Sequence, residues 1–169
     1  MLVERSGDLL RDDAQALVNP VNTVGVMGKG LALRFKSAYP EMSKVYVRAC
    51  AAGEVRAGRV FPVAVGERRW VLNFPTKRHW RSGARPGDIR AGLDSLVEVA
   101  AELRLGSVAI PALGCGEGGL EWAWLRETVR ERLAGAPFEV RLYVPAELET
   151  LPAPGPEAPG RPCADRVGT

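Results

Sequence analysis

Apolar and polar positions along the chain follow two rhythms that alternate from the N-terminus onward. Short apolar runs at 1–5, Ala16–Val21, 107–111 and 139–144 have the length and β-branched character of strands. Two further runs, 60–65 and 70–74, flank the sequence GERR and read as a hairpin. Between these runs the pattern changes to helical spacing. Residues 29–38 form one predicted helix, closed by Pro40, and 41–52 form a second. Ile89, Leu93, Leu96, Val97, Ala100 and Leu103 recur as one apolar stripe, and Trp122, Leu125, Val129 and Leu133 as another. Strands that alternate with helices, interrupted by one hairpin, predict an α/β domain with a mixed sheet and helices on both faces. In such sheets ligands bind in the crevice at the carboxyl ends of the strands.

The last segment breaks both rhythms. LPAPGPEAPGRPCADRVGT has five prolines and no apolar periodicity. The folded domain is therefore expected over 1–147, with 148–169 a proline-rich disordered tail or linker. Composition fits one globular domain: 169 residues, 46% hydrophobic and 25% charged. No apolar run has the length of a membrane span and MLVERSGD lacks a signal-peptide pattern, which together predict a cytoplasmic location. The three cysteines are scattered and His79 is the only histidine, so neither a transition-metal site nor disulfides are expected.

The net charge of +3 and the isoelectric point near 9.0 permit nucleic-acid contact without demanding it. The local bias is stronger. Arg68, Arg69, Lys77, Arg78, Arg81, Arg85 and Arg90 crowd one stretch, interleaved with Trp70 and Trp80. Such a run reads either as a solvated basic hairpin and loop, or as a phosphate groove with an aromatic surface for a base.

Two segments share a plan of buried strand, glycine-rich loop and helix: ALVNPVNTVGVMGKGLALRF and VAIPALGCGEGGLEWAWL. Glycine lets the backbone turn and approach a ligand closely, and the following helix presents free N–H groups and a positive dipole end. Two such cradles at one end of a sheet suit a ligand with two phosphates. The Walker pattern is absent, because Gly30 stands where it requires Ser or Thr, and G-x-G-x-x-G is missing from the first strand–helix turn. Asn19 and Asn22 close the second strand, either as donors and acceptors for ribose hydroxyls or as ordinary turn residues. Asp8 follows the first strand, placed to accept from an adenine amino group or to cap a turn.

Taken together, Gly7–Asp8, ALVNPVN, GVMGKGLALRF and IPALGCGEGGLEW resemble the macrodomain family in order and spacing over roughly residues 1 to 146. The resemblance implies a three-layer α/β/α sandwich that binds ADP-ribose, with no cofactor. It implies Asp8 and Leu9 at the adenine, Asn19 and Asn22 at the distal ribose, and Gly28, Lys29 and Gly30 along the same end. Backbone N–H groups of Leu113, Gly114, Cys115, Gly116, Glu117, Gly118, Gly119 and Leu120 would wrap the diphosphate.

Within the family, WVLNFPTKRHW and VNPVNTVGVMGKGLALRFK are similar to the DarG-type DNA ADP-ribosyl glycohydrolase antitoxins, related to the terminal ADP-ribose protein glycohydrolase branch. That similarity implies removal of ADP-ribose from thymidine bases of single-stranded DNA, with a DarT-type toxin as partner. It makes Lys77 the catalytic amine, attacking the anomeric carbon or assisting loss of the base, with Asn22 orienting the ribose. An attacking amine must be unprotonated, which burial beside Arg78 would favour. Arg78, His79, Trp80 and Arg81 become candidate DNA contacts. The protein-directed branch carries an aspartate where this chain has Gly118 beside Glu117, so the proton-transfer partner stays open. DarG-type proteins continue past the macrodomain, whereas only the short tail follows here, and a toxin-binding second domain is expected to be missing. A non-catalytic ADP-ribose reader, a hydrolase of protein-linked ADP-ribose and a plain nucleic-acid-binding module are the rival readings.

Overall fold

A computed structural model of the protein describes residues 1–149. The proline-rich tail falls, from residue 150, outside the described residues. In chain order the elements are β1 (Leu2–Arg5), a 3-10 turn (Leu9–Arg11), β2 (Ala16–Val21), α1 (Gly30–Ala38) and α2 (Pro40–Ala51). A hairpin of β3 (Phe61–Gly66) and β4 (Arg69–Pro75) follows, then α3 (Pro86–Glu102), β5 (Ser107–Ile110), α4 (Trp122–Leu133), β6 (Glu139–Tyr143) and α5 (Ala146–Glu149). Pro40 does not simply end the first helix. It opens α2, where its missing N–H costs nothing and its fixed φ already suits the helix. The short α5 carries no apolar periodicity in the sequence and was not expected.

The six strands form one sheet in the order β1-β6-β5-β2-β4-β3. All neighbours are parallel except β3 and β4, the hairpin. Side-chain alternation divides the core in two. Ala16, Val18, Leu72, Phe74, Val108 and Ile110 face α3 and α4, where Ile89, Leu93, Leu96, Leu125 and Val129 complete the packing. Leu17, Val21, Val71 and Ala109 face α1 and α2, against Phe35, Met42 and Tyr46. The expected α/β/α sandwich with a mixed sheet is thus the observed fold.

The sheet also separates the basic stretch that looked continuous in sequence. Arg68 sits at the hairpin turn with φ 57, and Arg69 opens β4. Arg69 donates to the carbonyls of Asp12 (2.9 Å) and Ala14 (3.3 Å) at the amino ends of the parallel strands. Lys77 follows the other end of β4, and a seven-residue strand spans about 20 Å. Arg68 and Arg69 therefore belong to the far side of the domain from Lys77, Arg78, Arg81 and Arg85.

Candidate active site

The carboxyl ends of β1, β6, β5, β2 and β4 open onto one cleft of about 710 Å³. This is the size of a ligand pocket for a drug-sized or nucleotide-sized molecule. Strand order, rather than chain order, lays out its wall. Gly7 and Leu9 follow β1, and Val144 to Glu147 follow β6. Pro111, Ala112 and Gly114 to Gly118 follow β5, Asn22, Val26 and Gly28 to Gly30 follow β2, and Thr76, Lys77 and Trp80 follow β4. At about 4.8 Å per strand these five ends cover about 19 Å.

The first glycine loop hangs on one side chain. The Asn22 Oδ1 accepts from the backbone N–H of Val24 and Gly25 (3.1 Å each) and Val26 (3.3 Å), and its Nδ2 donates to the Val26 carbonyl (2.8 Å). Tyr46 of α2, fully buried, donates its hydroxyl to the Asn22 carbonyl at 2.7 Å and lies 3.1 Å from Oδ1. Burial is the main reason the Tyr46 hydroxyl is shifted far up from its ordinary value, so it stays a donor at every working pH. Asn22 keeps one amide hydrogen for a ligand. Lys29 caps α1 without a side-chain bond, so the first turn of that helix offers its N–H groups to the cleft, whose wall includes Gly28 to Ala32.

Lys77 stands beside Asn22. Register pairs Val21 with Pro75, and the Thr76 N–H extends the ladder by donating to the Val21 carbonyl at 2.9 Å. The Thr76 side chain is buried there, and Lys77 comes next on the cleft wall. Its surroundings differ from the sequence expectation. Lys77 is half-buried, and its Nζ donates to the Trp80 carbonyl at 3.0 Å. Arg78 turns away, with its guanidinium on Asp88 at 3.1 and 3.2 Å. His79 is exposed and stacks on Trp80, with ring centroids 5.3 Å apart, while its Nδ1 accepts from the Arg81 N–H. The Arg81 guanidinium lies 4.4 Å from the Trp80 ring centroid. Of these four candidates Trp80 alone lines the cleft.

The second glycine loop holds itself. Leu113 N–H bonds to the Pro111 carbonyl, Cys115 to Ala112, Gly119 to Gly116, and Leu120 to Gly114, all between 2.8 and 3.1 Å. Gly114, with φ 74, and Gly118 are packed where no Cβ fits. A Cβ on Gly118 would sit 2.6 Å from the Gly114 carbonyl oxygen and 2.8 Å from the Ala84 Cβ. Gly114 to Gly118 lie on the cleft wall, whereas Leu113, Gly119 and Leu120 shape the loop from behind. Glu121 caps α4 without a side-chain bond, but Trp122 is absent from the cleft wall, so only the first of the two helices points its N-terminus at the cleft. The Cys115 thiol is pushed up to about 11, first by burial and then by the Glu147 carboxylate. It is a protonated wall group and no nucleophile at neutral pH.

At the β1–β6 end Arg34 and Leu9, rather than Asp8, form the cleft wall. The Asp8 Oδ1 caps the 3-10 turn at Leu10 N–H (3.1 Å), and its Oδ2 holds the Arg34 Nη2 at 2.7 Å. The Arg34 bond is the main reason the Asp8 carboxyl sits below the usual carboxylate range. Arg34 and Leu9 face the cleft, while Asp8 stands behind them. Asn19 is further removed. It is fully buried in the sheet, donates to Asn73 Oδ1 at 3.1 Å and has no bonded partner for its own Oδ1. Its side chain lies within the sheet against Asn73, two residues short of Val21 on the same face, and Asn19 is not part of the cleft wall.

Sequence reasoning missed Arg34, Thr76, Tyr46 and the Tyr143–Glu147 wall. The last had a usable signal: a final parallel strand must deliver its carboxyl end to the same crevice. Among the described residues no three His, Cys, Asp or Glu side chains converge as a metal site would need, and no helix is long and apolar enough to cross a membrane.

Five parallel strand ends and two glycine-rich loops around one nucleotide-sized cleft define an α/β/α ligand-binding module. The macro domain model matches residues 18–128, and the chain belongs to the macro domain family. The chain is 51% identical over 139 residues to the DNA ADP-ribosyl glycohydrolase of Mycobacterium tuberculosis, covering 80% of this chain and 38% of the relative. It is 46% identical over 145 residues to that of Thermus aquaticus, covering 83% and 40%. The structure superposes on the macrodomain of Mycobacterium tuberculosis DarG with a TM-score of 0.84 at 45% identity, covering 86% of this chain and 99% of that one. With Thermosipho africanus DarTG in complex with ADP-ribose the TM-score is 0.77 at 38% identity, over 83% and 40%. The chain thus spans about two fifths of the full length of the curated relatives it matches.

Proposed function

We propose that this chain is a DNA ADP-ribosyl glycohydrolase that removes ADP-ribose from thymidine bases of single-stranded DNA. In the cytoplasm it reverses the work of a DarT-type transferase partner. The observation that carries the reading is the position of Lys77 beside Asn22, at the end of a cleft walled by two glycine-rich loops. The ligand would lie across the sheet in strand order. Its adenine sits at β1–β6 by Leu9 and Arg34, with Asp8 behind, and its diphosphate lies between Gly28–Gly30 and Gly114–Gly118. The distal ribose reaches Asn22 and Lys77 at β2–β4.

The reaction breaks the bond between the anomeric carbon and the base nitrogen. The hydroxyl of water ends on that carbon and its proton on the departing base. Lys77 is the amine within reach of the carbon, freed from the Trp80 carbonyl when substrate enters, and Asn22 orients the sugar with its remaining amide hydrogen. Glu117, on the same wall, is a candidate to move the proton. The similarity in name and structure to DNA ADP-ribosyl glycohydrolases supports the DNA-linked substrate. The fused transferase–glycohydrolase of Thermosipho africanus supports the partner.

The decisive experiment offers an ADP-ribosylated oligonucleotide and, separately, an ADP-ribosylated protein. Release from the oligonucleotide is expected, and release from the protein alone would overturn the substrate. Lys77→Ala should lose at least about 100-fold in kcat, the lower range for a positioned proton-transfer or nucleophilic group, while ADP-ribose still binds. One observation favours a non-catalytic reader, namely the engagement of Lys77 Nζ with a backbone carbonyl. Unchanged, negligible turnover in both wild type and Lys77→Ala, with ADP-ribose bound by both, would select that reading.

A further inference from the structure

We propose that the surface running from the cleft mouth over the first turns of α3 and α4 is a track for the nucleotides that flank the modified base. The substrate is then an oligonucleotide strand rather than a lone nucleoside. The inference rests on the DNA-linked substrate proposed above and adds where the rest of the strand lies.

The track begins at Trp80, 41% exposed at the edge of the cleft with Arg81 against its ring. The loop then turns back, and the Ala84 N–H docks on the Gly118 carbonyl at 3.0 Å. That bond brings Arg85, which caps α3, next to the second glycine loop. One turn into α3 the Arg90 guanidinium lies 5.3 Å from the centroid of the Trp124 ring, in the first turn of α4. Two indole–arginine pairs are thus bridged by an exposed arginine, in continuity with the site. Trp80 already carries His79 and Arg81 on its ring, and Trp124 is half-buried beneath Arg90, so bases stack on the outer faces of the guanidinium planes that the indoles support, while Arg85 neutralises a phosphate between them.

Charge pairing separates this surface from its surroundings. Farther along the same helices Arg126 and Arg130 both hold Glu4, and Arg132 holds Asp94 at 2.7 Å. Next to the cleft, Arg78 holds Asp88. Arg81, Arg85 and Arg90 are all exposed, and among the described residues none has a carboxylate partner. Three unpaired guanidiniums beside two indoles match alternating phosphates and bases. Only a single strand presents the base faces this surface can stack, because in a duplex those faces are already covered.

The test uses the full chain and two substrates: ADP-ribosylated thymidine mononucleotide, and the same unit inside a strand of about ten nucleotides. The wild type should show a KM at least about tenfold lower for the strand. The variant Arg85→Ala/Arg90→Ala changes only exposed side chains. It should erase most of that gain while leaving kcat and KM for the mononucleotide unchanged. Fluorescence anisotropy with a plain labelled strand should show the same loss. Its log–log salt slope should fall by about 1.4, the value for two phosphate contacts on a single strand. Equal KM for the two substrates in the wild type, or equal weakening of both by the double variant, would overturn the track. If neither substrate is cleaved, the hydrolase reading fails instead, and the anisotropy comparison still decides whether the surface holds a strand.

Discussion

The two glycine-rich loops look alike in sequence, but they are held by opposite means. The loop after β2 takes its shape from outside itself, through Asn22 and the buried hydroxyl of Tyr46. The loop after β5 closes on its own backbone and is wedged so tightly against Ala84 that side-chain atoms have no room. The first can therefore tolerate added bulk at Gly28, where φ is not positive, and fail when a polar partner is removed. The second should respond in the reverse way. Glycine composition alone does not tell a mobile cradle from a rigid one.

Substitutions at matched positions sharpen the contrast. Gly118→Ala is expected to do most harm, because its Cβ meets backbone on one side and Ala84 on the other. Overpacking of this kind costs about 1–3 kcal/mol, and calorimetric titration should show ADP-ribose affinity falling with stability. Tyr46→Phe removes the hydroxyl that ties Asn22 to α2. It should lower the unfolding free energy in urea by about 1 kcal/mol and weaken ADP-ribose binding more than it affects the second loop. Gly28→Ala is the control. Its Cβ would meet only the Val26 Cγ1 at 3.6 Å, in ordinary contact, so stability should change by less than about 0.5 kcal/mol. A Gly28→Ala as damaging as Gly118→Ala would dissolve the distinction.

The smallest effect is expected at Cys115. With its thiol pushed up to about 11, the thiolate is scarce at pH 8 and grows only as pH climbs toward that value. Iodoacetamide should label Cys115 slowly at pH 8 and faster with each step upward. Rapid labelling at neutral pH would show a second loop looser than its packing.

Most of the fold was legible because its elements are long and regularly spaced. The α3 stripe from Ile89 to Ala100 and the hairpin around GERR declare themselves within a few residues. Cleft-wall residues were legible where a loop or strand end carries them directly, as with Asn22, Lys77 and Gly114 to Gly118. They were illegible where the third dimension intervenes. Arg34 reaches the cleft from within a helix, and Asn19 stays inside the sheet, bonded to Asn73. The seven-residue β4 sends Arg69 and Lys77 to opposite ends of the domain, although they are close in sequence. The expected side-by-side influence of Arg78 on Lys77 failed for a similar reason, because Asp88 on α3 claims the guanidinium.

The pairing of β1 with β6 has a consequence for biogenesis. Leu2 finds its ladder partner only at Val140, so the first strand made is completed by the last. Until ribosomal synthesis passes that point, the β1–β6 end of the groove lacks half its lining and the N-terminal strand has nothing to zip onto. A nascent chain that stops short of β6 therefore leaves that end of the cleft open while its two glycine-rich loops are already made. Ligand capture should switch on in one step with the closing strand, which makes arrested chains of increasing length a direct gauge of when this protein becomes competent.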